Sequence, residues 1–301
     1  MNKQVTRGEL PLVSIVTPSY NQGQFIEDAI LSVINQDYPN IEHIVVDGAS
    51  TDNTLEILRK YQDAYNLRWI SEPDKGHSDG VNKGFRMAQG EIIGWLNSDD
   101  AYFDVSTVST VVEVFQNRPS ADVVYGDIVF INEDNTLLMV RCVPHLFSYR
   151  RLLLGCFLEQ PAVFLRRRVV EAHQLDTSIH YGIDYEYWLR IGRQYRFVHV
   201  DRILAADRNH PSRRMVAGIS ELREVVRRVQ EQHGQRHGFS FYILRSIDRV
   251  LTGVPRRVKG AWKLLSLSRK TDFAFDVKLD PPLRSLKRQL LTRSYLDLLE
   301  R

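Results

Sequence analysis

Four short apolar runs alternate with three stretches of helical periodicity between Leu12 and Asp100, and that alternation limits the fold more than any other feature of the chain. Leu12-Val13-Ser14-Ile15-Val16-Thr17 is β-rich, and Pro18, which cannot donate to a ladder, is expected to end it. Phe25, Ile26, Ala29, Ile30, Val33 and Ile34 recur at helical spacing and give one buried face. Residues 41–46 read as a second strand, Leu55, Ile57, Leu58 and Tyr61 as a second helix, and residues 67–70 as a third strand. Residues 77–88 follow as a helix stopped by Gly90. Ile92 and Ile93 then open a fourth strand. Such repetition builds an α/β fold with a parallel sheet, whose strands share their carboxyl ends. Ligands of open α/β sheets bind in the crevice at those ends.

Two glycines, Gly80 and Gly84, sit inside the third helix, where each costs about 1 kcal/mol relative to alanine. Either the backbone makes a close approach there, or the helix is a loose surface element. Beyond Asp100, residues 105–115 form another amphipathic pattern. Residues 123–130 and 137–140 read as strands joined by a turn, and residues 161–165 as one more. Arg166-Arg167-Arg168 opens a surface helix, residues 184–192 form a helix, and residues 197–200 form a final strand. Strict alternation is lost in this half, so a mixed, mainly parallel sheet with antiparallel additions is expected.

The chain has 301 residues, enough for a full core in one large domain with an appendage. Cys142 and Cys156 stand apart, with no CxxC or Cys/His cluster, so neither a disulfide framework nor a zinc site is indicated. The polar stretch Met1–Leu10 lacks a signal-peptide core, and no apolar run has bilayer-spanning length, so the cytoplasm is the expected compartment. Charge is unevenly spread. Residues 1–215 carry 22 Lys and Arg against 28 Asp and Glu, whereas residues 216–301 carry 18 against 9. The break near Met215 divides a domain of residues 1–215 from a basic, mainly helical extension of residues 216–301.

Acidic clusters fall where elements end: Asp47 with Asp52, Asp74 with Lys75, Asp99 with Asp100, and Asp184 with Glu186. The first three should meet on one edge of a parallel sheet. Carboxylate oxygens suit hard cations such as Mg2+ or Mn2+, which keep one or two protein carboxylates and take phosphate and water as further ligands. Asn97-Ser98-Asp99-Asp100 alone reads equally well as a polar turn before a helix, and Asp184 alone as a helix cap.

Taken together, Ser14-Ile15-Val16-Thr17-Pro18-Ser19-Tyr20-Asn21, Val46-Asp47-Gly48-Ala49-Ser50-Thr51-Asp52, Glu72-Pro73-Asp74-Lys75-Gly76 and Trp95-Leu96-Asn97-Ser98-Asp99-Asp100 resemble the inverting glycosyltransferases of family 2, which have the GT-A fold. The resemblance covers about residues 11–212. It implies a nucleotide-binding set of Pro18, Tyr20, Asp47, Asp74, Lys75, Gly76 and Asp99, with Asp47 on the base. It implies metal contact by Asp100, with Asp99 and His210 beside it, and Mg2+ or Mn2+ as cofactor. Asn97 departs from the usual pattern, in which many relatives carry another aspartate. Gly182-Ile183-Asp184-Tyr185-Glu186 is similar to the segment that supplies the catalytic base, here Asp184 with Glu186 in reserve, although Ile183 replaces a usual glutamate. Glu159 and Gln160 resemble the acceptor-side segment, with Glu159 where relatives often have histidine. The implied reaction moves a sugar from a UDP- or dTDP-sugar donor to the hydroxyl of a saccharide or lipid-linked acceptor, with inversion, in surface polysaccharide or glycolipid assembly.

Two other readings compete. A nucleotidyltransferase would need a glycine-rich phosphate loop with lysine, which Pro18-Ser19-Tyr20-Asn21 does not offer. A non-catalytic sugar-nucleotide-binding module would show eroded acidic sites, for which Asn97 and Ile183 are the only signs. In the extension, apolar residues from Phe239 alternate with basic ones. That pattern fits an anionic membrane surface on the inner face of the cell, or a helical cap on the catalytic domain with a solvated basic face. Gly253-Val254-Pro255 is expected to break any long helix, and no nucleic-acid motif accompanies the charge.

Overall fold

The computed structural model describes residues 10–211, 213, 219–267, 270, 272–279 and 289. Strands β1 (Val13–Ser19), β2 (Ile41–Asp47), β3 (Leu67–Ser71) and β4 (Ile92–Trp95) are parallel and lie in the order β4-β1-β2-β3. Helices α1 (Ile26–Ile34), α2 (Thr54–Tyr61) and α3 (His77–Met87) connect them. After β4 come β5 (Ala101–Tyr102), α4 (Thr107–Asn117), β6 (Val123–Ile131) and β7 (Thr136–Arg141). Then follow α5 (Tyr149–Leu154), a 3-10 turn at Gln160–Ala162, β8 (Val163–Arg166), α6 (Arg167–Ala172), α7 (Ile183–Ile191) and β9 (Phe197–Arg208). β8 joins β4 and β6 antiparallel, β6 and β7 are antiparallel, and β9 runs parallel to β6. The sheet is therefore mixed and mainly parallel at its acidic half, as the sequence pattern implies.

Alternation along β1 divides the core. Val13 and Ile15 pack on one face with Val33 of α1 and Val111 and Phe115 of α4, while Val16 packs on the other with Val81 and Phe85 of α3 and Trp188 of α7. Gly84 is required by this second face. A Cβ there would sit 2.2 Å from Val16 Cγ1, so the glycine lets α3 press onto β1. Of the two readings of the helical glycines, close approach is the one found.

Four features depart from the sequence reading. β1 continues through Pro18 to Ser19, because Gly48 N donates to Ser19 O on the β2 side and the N–H that Pro18 lacks would point to the β4 side. There the β4 ladder has already ended, at Val16 opposite Trp95. β9 runs for 12 residues instead of four. Exposed Asp201 and Arg202 interrupt its apolar pattern, but a register irregularity opposite Asp127 lets pairing resume from Ile203 to Arg208. The short elements β5 and α5 were below the resolution of periodicity.

The fourth departure lies in the extension, where α8 (Ile219–Gln232) and α9 (Phe239–Leu267) precede the short β10 (Lys278–Leu279). Gly253-Val254-Pro255 does not break α9, which carries Pro255 inside it. The carbonyl that Pro255 deprives of a donor belongs to Leu251, a 69% exposed residue, so water can satisfy it. Leu264 and Leu267 of α9 join Val129, Ile131, Leu137 and Val140 in a core cluster, so the helix packs on the catalytic sheet. The expected boundary at Met215 lies outside the described residues.

Candidate active site

The parallel registers bring three of the acidic clusters to one edge. Ser19 lies beside Asp47, Asp47 beside Ser71, and Val16 beside Trp95, so the segments after β1, β2, β3 and β4 all leave the sheet together. Asp74 stands between Gly48 and Gly80. Added Cβ atoms at those glycines would lie 2.9 and 3.3 Å from Asp74 Oδ2, and at Gly48 also 3.4 Å from Tyr20. Pro18, Tyr20, Gly48 and Asp74 thus lie together at this edge, with Tyr20 61% exposed. Lys75 is exposed at its rim, and Gly76 N donates to Asp74 Oδ1 at 2.8 Å.

Asp47 is fully buried. Its carboxylate accepts from Ser50 N (2.9 Å), Ser50 Oγ (2.5 Å) and Ser71 Oγ (2.6 Å), which leaves little acceptor capacity beyond that of the turn it organises. Asp52 has a structural part: its oxygens accept from Gly23 N and Thr54 N, tying the β2–α2 turn to the start of α1.

The segment after β4 is held from three sides. Asn97 accepts from Trp95 Nε1 at 2.9 Å and donates to Gln160 Oε1 at 2.8 Å and Asp100 Oδ2 at 3.3 Å. Gln160 also donates to the Trp95 carbonyl, so this residue, expected on the acceptor side, instead buttresses the acidic turn. His210 Nε2 lies 3.1 Å from Asp99 Oδ2, with its ring 4.7 Å from that of Phe25. Arg208, fully buried, donates its backbone N–H to Asp100 Oδ1 at 3.1 Å and its Nε to the Asp99 carbonyl at 2.9 Å.

Electrostatics separate the two neighbouring carboxylates. Burial pushes the Asp99 carboxyl up, but the His210 hydrogen bond and the Arg213 charge outweigh it and hold Asp99 below its ordinary value. Burial and the charges of Asp99 and Asp207 push Asp100 well above it. Crowded carboxylates of this kind are relieved by a hard divalent cation, and their oxygens are the donors it prefers. Asp99 and Asp100 fit that cation, with His210 orienting Asp99. Among the described residues no group of three or more His, Cys, Asp or Glu is arranged to hold a metal ion. The protein therefore offers an open platform rather than a closed cage.

Asp184 stands in the first turn of α7, whose N-cap Gly182 has φ +66°. Burial raises the Asp184 carboxyl, with Asp207 adding to and Arg213 opposing the shift. Glu159 is likewise raised by burial against the pull of Arg141, with which it forms an ion pair. Asp184, Glu159, Asp207 and Arg213 thus act on one another electrostatically, whereas Glu186 is not brought in. Arg190 holds both oxygens of Glu186, the residue expected in reserve, at 2.8 and 3.0 Å.

Sequence reasoning did not single out Asp207, Arg213 or Arg141, and took Arg208 only as the start of a loop, Arg208-Asn209-His210-Pro211-Ser212, similar to one in which histidine or arginine approaches the diphosphate or metal. Asp207 and Arg208 end the unrecognised second half of β9, beside the acidic turn, whereas Arg141 ends β7 and Arg213 follows β9. Arg213 pairs with Asp207 through two contacts, one at 2.9 Å. Two surface hollows of about 270 and 260 Å3 lie elsewhere, the larger lined by Leu10, Glu91 and Arg166 near the amino end of β4. Neither gathers the acidic residues, so chemistry and not concavity marks the site.

The fold is shared with solved transferases. The mannosyltransferase PcManGT of Pyrobaculum calidifontis, in complex with GDP-Man and Mn2+, superposes with a TM-score of 0.59 at 16% identity, covering 97% of this chain and 88% of that one. TarS 1-349 of S. aureus in complex with UDP-GlcNAc gives 0.57 at 20% identity, over 72% and 65%. In sequence, the chondroitin synthase of Escherichia coli is 28% identical over 202 residues, which is 67% of this chain but 29% of that synthase. The chain thus spans under a third of that relative's length. The family model for glycosyl transferase family 2 matches residues 14–171, a stretch that holds β1 to β4, the acidic turn and the Gln160 buttress. With that match and the GT-A architecture in agreement, the chain belongs to glycosyl transferase family 2.

Proposed function

We propose that this chain transfers a sugar from a nucleotide-diphosphate donor to an acceptor hydroxyl with inversion, in the assembly of a surface polysaccharide or glycolipid. The observation that supports the reading is that the Asp99–Asp100 turn at the end of β4 and Asp184 at the start of α7 feel the same charges, those of Asp207 and Arg213. Pro18, Tyr20, Asp74 and the backbone at Gly48 would take the nucleoside, with Lys75 and Gly76 at the rim. Asp47 would act mainly by fixing the Ser50 turn, and through it the shape of that edge.

Asp99 and Asp100 would hold Mg2+ or Mn2+, which when bound supplies Lewis-acid charge for the diphosphate leaving group. Arg213 carries positive charge into the same region. Asp184 accepts the proton of the acceptor hydroxyl as its oxygen attacks the anomeric carbon from the face opposite the diphosphate, which inverts the centre. Burial raises the basicity of its carboxylate, which suits a general base better than an exposed aspartate. Glu159, held by Arg141, borders the acceptor approach. The transition state has oxocarbenium character, as in other glycosyl chemistry.

The test is thermal unfolding against a panel of UDP-, dTDP- and GDP-sugars with and without Mn2+. A preferred donor at about 100 times its Kd adds about 2.7 kcal/mol. The expected result is stabilisation that needs donor and metal together, followed by transfer with inversion seen in the product's anomeric NMR signal. A flat response across the whole panel would sink the proposal.

A further inference from the structure

Helix α9 is held against the sheet partly by its basic residues, whereas the expected cap has its basic face solvated. Lys263 Nζ lies 2.6 Å from Asp127 Oδ2 of β6 and 2.6 Å from Asp201 Oδ1 of β9, and Lys259 Nζ lies 2.8 Å from Asp201 Oδ1. Lys259 Nζ is also 2.8 Å from His145 Nε2, His145 Nδ1 is 3.0 Å from His199 Nδ1, and His199 Nε2 is 3.4 Å from Asp127 Oδ1. His145 is exposed and lies between β7 and α5, while the His199 side chain, on β9, is 3% exposed and that of Asp127 is fully buried. Two imidazole rings thus bridge a lysine of α9 to the carboxylate that also takes Lys263.

The two ends of this chain of contacts fix every proton between them. An ammonium only donates, so His145 Nε2 accepts from Lys259, and a neutral imidazole then carries its hydrogen on Nδ1, which donates to His199 Nδ1. His199 in turn carries its hydrogen on Nε2 and donates it to Asp127. Burial pushes the Asp127 carboxyl up, but the His199 hydrogen bond and the Lys263 charge outweigh it and hold Asp127 below its ordinary value, as an ionised acceptor. Neither ring keeps a free lone pair. A proton added to His145 Nε2 meets the Lys259 ammonium. One added to His199 Nδ1 meets the His145 N–H, and moving that hydrogen to Nε2 sets it against Lys259 instead. Either way the first proton breaks the Lys259 contact, and a second sets two N–H groups against each other between the rings. The other titratable or charged groups around the pair are Asp201, Lys263, Cys142 and Tyr125. Burial and the charges of Lys259 and His199 lower the His145 pKa, against the pull of Asp201 and Asp127. Burial pushes the Cys142 thiol up to about 12 and raises the Tyr125 hydroxyl as well, so neither titrates with the rings. A histidine lowered in the docked state contributes stability that is present above its ordinary value of 6.5 and is lost as pH falls from there through the lowered one.

We propose that His145 and His199 form an acid-sensitive latch, which holds α9 to the sheet through Lys259 while both rings are neutral and slackens when either takes a proton. The inference does not depend on the transfer reaction. The reporter is Cys142, which is 5% exposed and shares its core cluster with Leu264 and Leu267 of α9. In the full chain carrying Cys156→Ser, Cys142 is labelled with a disulfide reagent that reacts in acid, each rate being divided by that of glutathione at the same pH. At about pH 5.5 an undocked histidine is about ten-elevenths protonated, so a docked state that excludes one proton loses population to the undocked one by up to about tenfold relative to about pH 7.5. Labelling is expected to rise accordingly, by about three- to tenfold. His145→Ala removes the bridge at an exposed site, so its labelling should start higher and change by less than about twofold between the two pH values, whereas loss of mere packing would raise both rates and keep their ratio. NMR of the imidazole nitrogens at neutral pH should show His145 protonated on Nδ1 alone and His199 on Nε2 alone. A parent rate that changes by less than about twofold, a rise that survives His145→Ala, or the opposite tautomers would overturn the proposal.

Discussion

Replacing Arg208 with methionine isolates the residue that fastens the acidic turn to the rest of the fold. The guanidinium is fully buried and uses its donors on five groups: the carbonyls of Asp99, Asn132 and Glu133, Asn135 Oδ1, and Asp28 Oδ2 at 2.8 Å. Methionine keeps much of the apolar stem but removes every donor beyond it, together with the guanidinium that lies 4.9 Å over the Phe25 ring. Breaking a buried ion pair by deleting one partner costs about 3–5 kcal/mol, and each buried carbonyl left bare adds to the loss. Asp28 is 23% exposed and regains some water, which places the expected cost near the lower end, at about 3 kcal/mol. For a chain of this size that lowers the melting temperature by about 6–12 °C. Thermal and denaturant unfolding measure it, and the Arg208→Met, Asp28→Asn double variant should recover about 1 kcal/mol by removing the stranded charge. Because the Arg208 side chain also holds the Asp99 carbonyl, metal-dependent stabilisation by donor should fall with it, although the backbone N–H to Asp100 is kept. A loss below about 1 kcal/mol, the range of an exposed pair, would refute the reasoning.

Three further outcomes follow from the same geometry. Asp184→Asn should keep donor binding but lower kcat by about 10²–10⁴, and the parent's kcat should fall at higher pH than an ordinary aspartate would dictate, since burial raises this carboxyl and the base works only when ionised; a variant with full turnover would remove Asp184 from the role. Asp100 is raised in the fold, so its ionised form is disfavoured there and subtracts stability above its folded pKa; Asp99 is lowered, so its stability is present above the unfolded pKa and lost as pH falls through the folded one. Asp100→Asn should therefore raise, and Asp99→Asn lower, the melting temperature of the metal-free protein at neutral pH, while both weaken the response to Mn2+ with donor. Gly84→Ala should destabilise by about 1–3 kcal/mol despite alanine's better helix propensity, and Val16→Ala should relieve it; a stabilised Gly84→Ala would show that α3 can move off β1.

The parallel half of the fold was legible because its strands are buried runs bounded by strong punctuation. Gly48 and Gly90 mark turns, and helical spacing in α1 and α3 is unbroken enough to read. The same rule misled at Pro18 and Pro255, since proline ends an element only where its absent N–H or its displaced carbonyl lacks another solution. At Pro18 the neighbouring strand had already stopped, and at Pro255 the carbonyl faces water. β9 was half seen for a related reason. Periodicity requires a constant environment, and Asp201-Arg202 cross solvent between two buried halves. With that half went Asp207 and Arg208, which no local pattern could have connected to Asp99 and Asp100, more than 100 residues earlier.

The placement of these late residues explains why the acidic edge can remain acidic. Asp99, Asp100, Asp184, Asp207 and Glu159 approach one another, yet the cations supplied by the protein are committed at the margins: Arg208 to Asp28 and carbonyls, Arg141 to Glu159, Arg213 to Asp207. A diphosphate entering alone would meet mostly negative charge. In the proposed reaction, a divalent cation entering alone would find two adjacent carboxylates and an amide at Asn97, and among the described residues no group of three or more His, Cys, Asp or Glu to hold it. Each supplies what the other lacks, since phosphate oxygens complete the cation's shell and the cation offsets the carboxylates. Asn97 fits this balance, because a third aspartate would bind metal more strongly without donor but would lose the amide donations to Gln160 and Asp100 that shape the turn. In the proposed function, the turn is thus suited to a metal that arrives and leaves with its nucleotide.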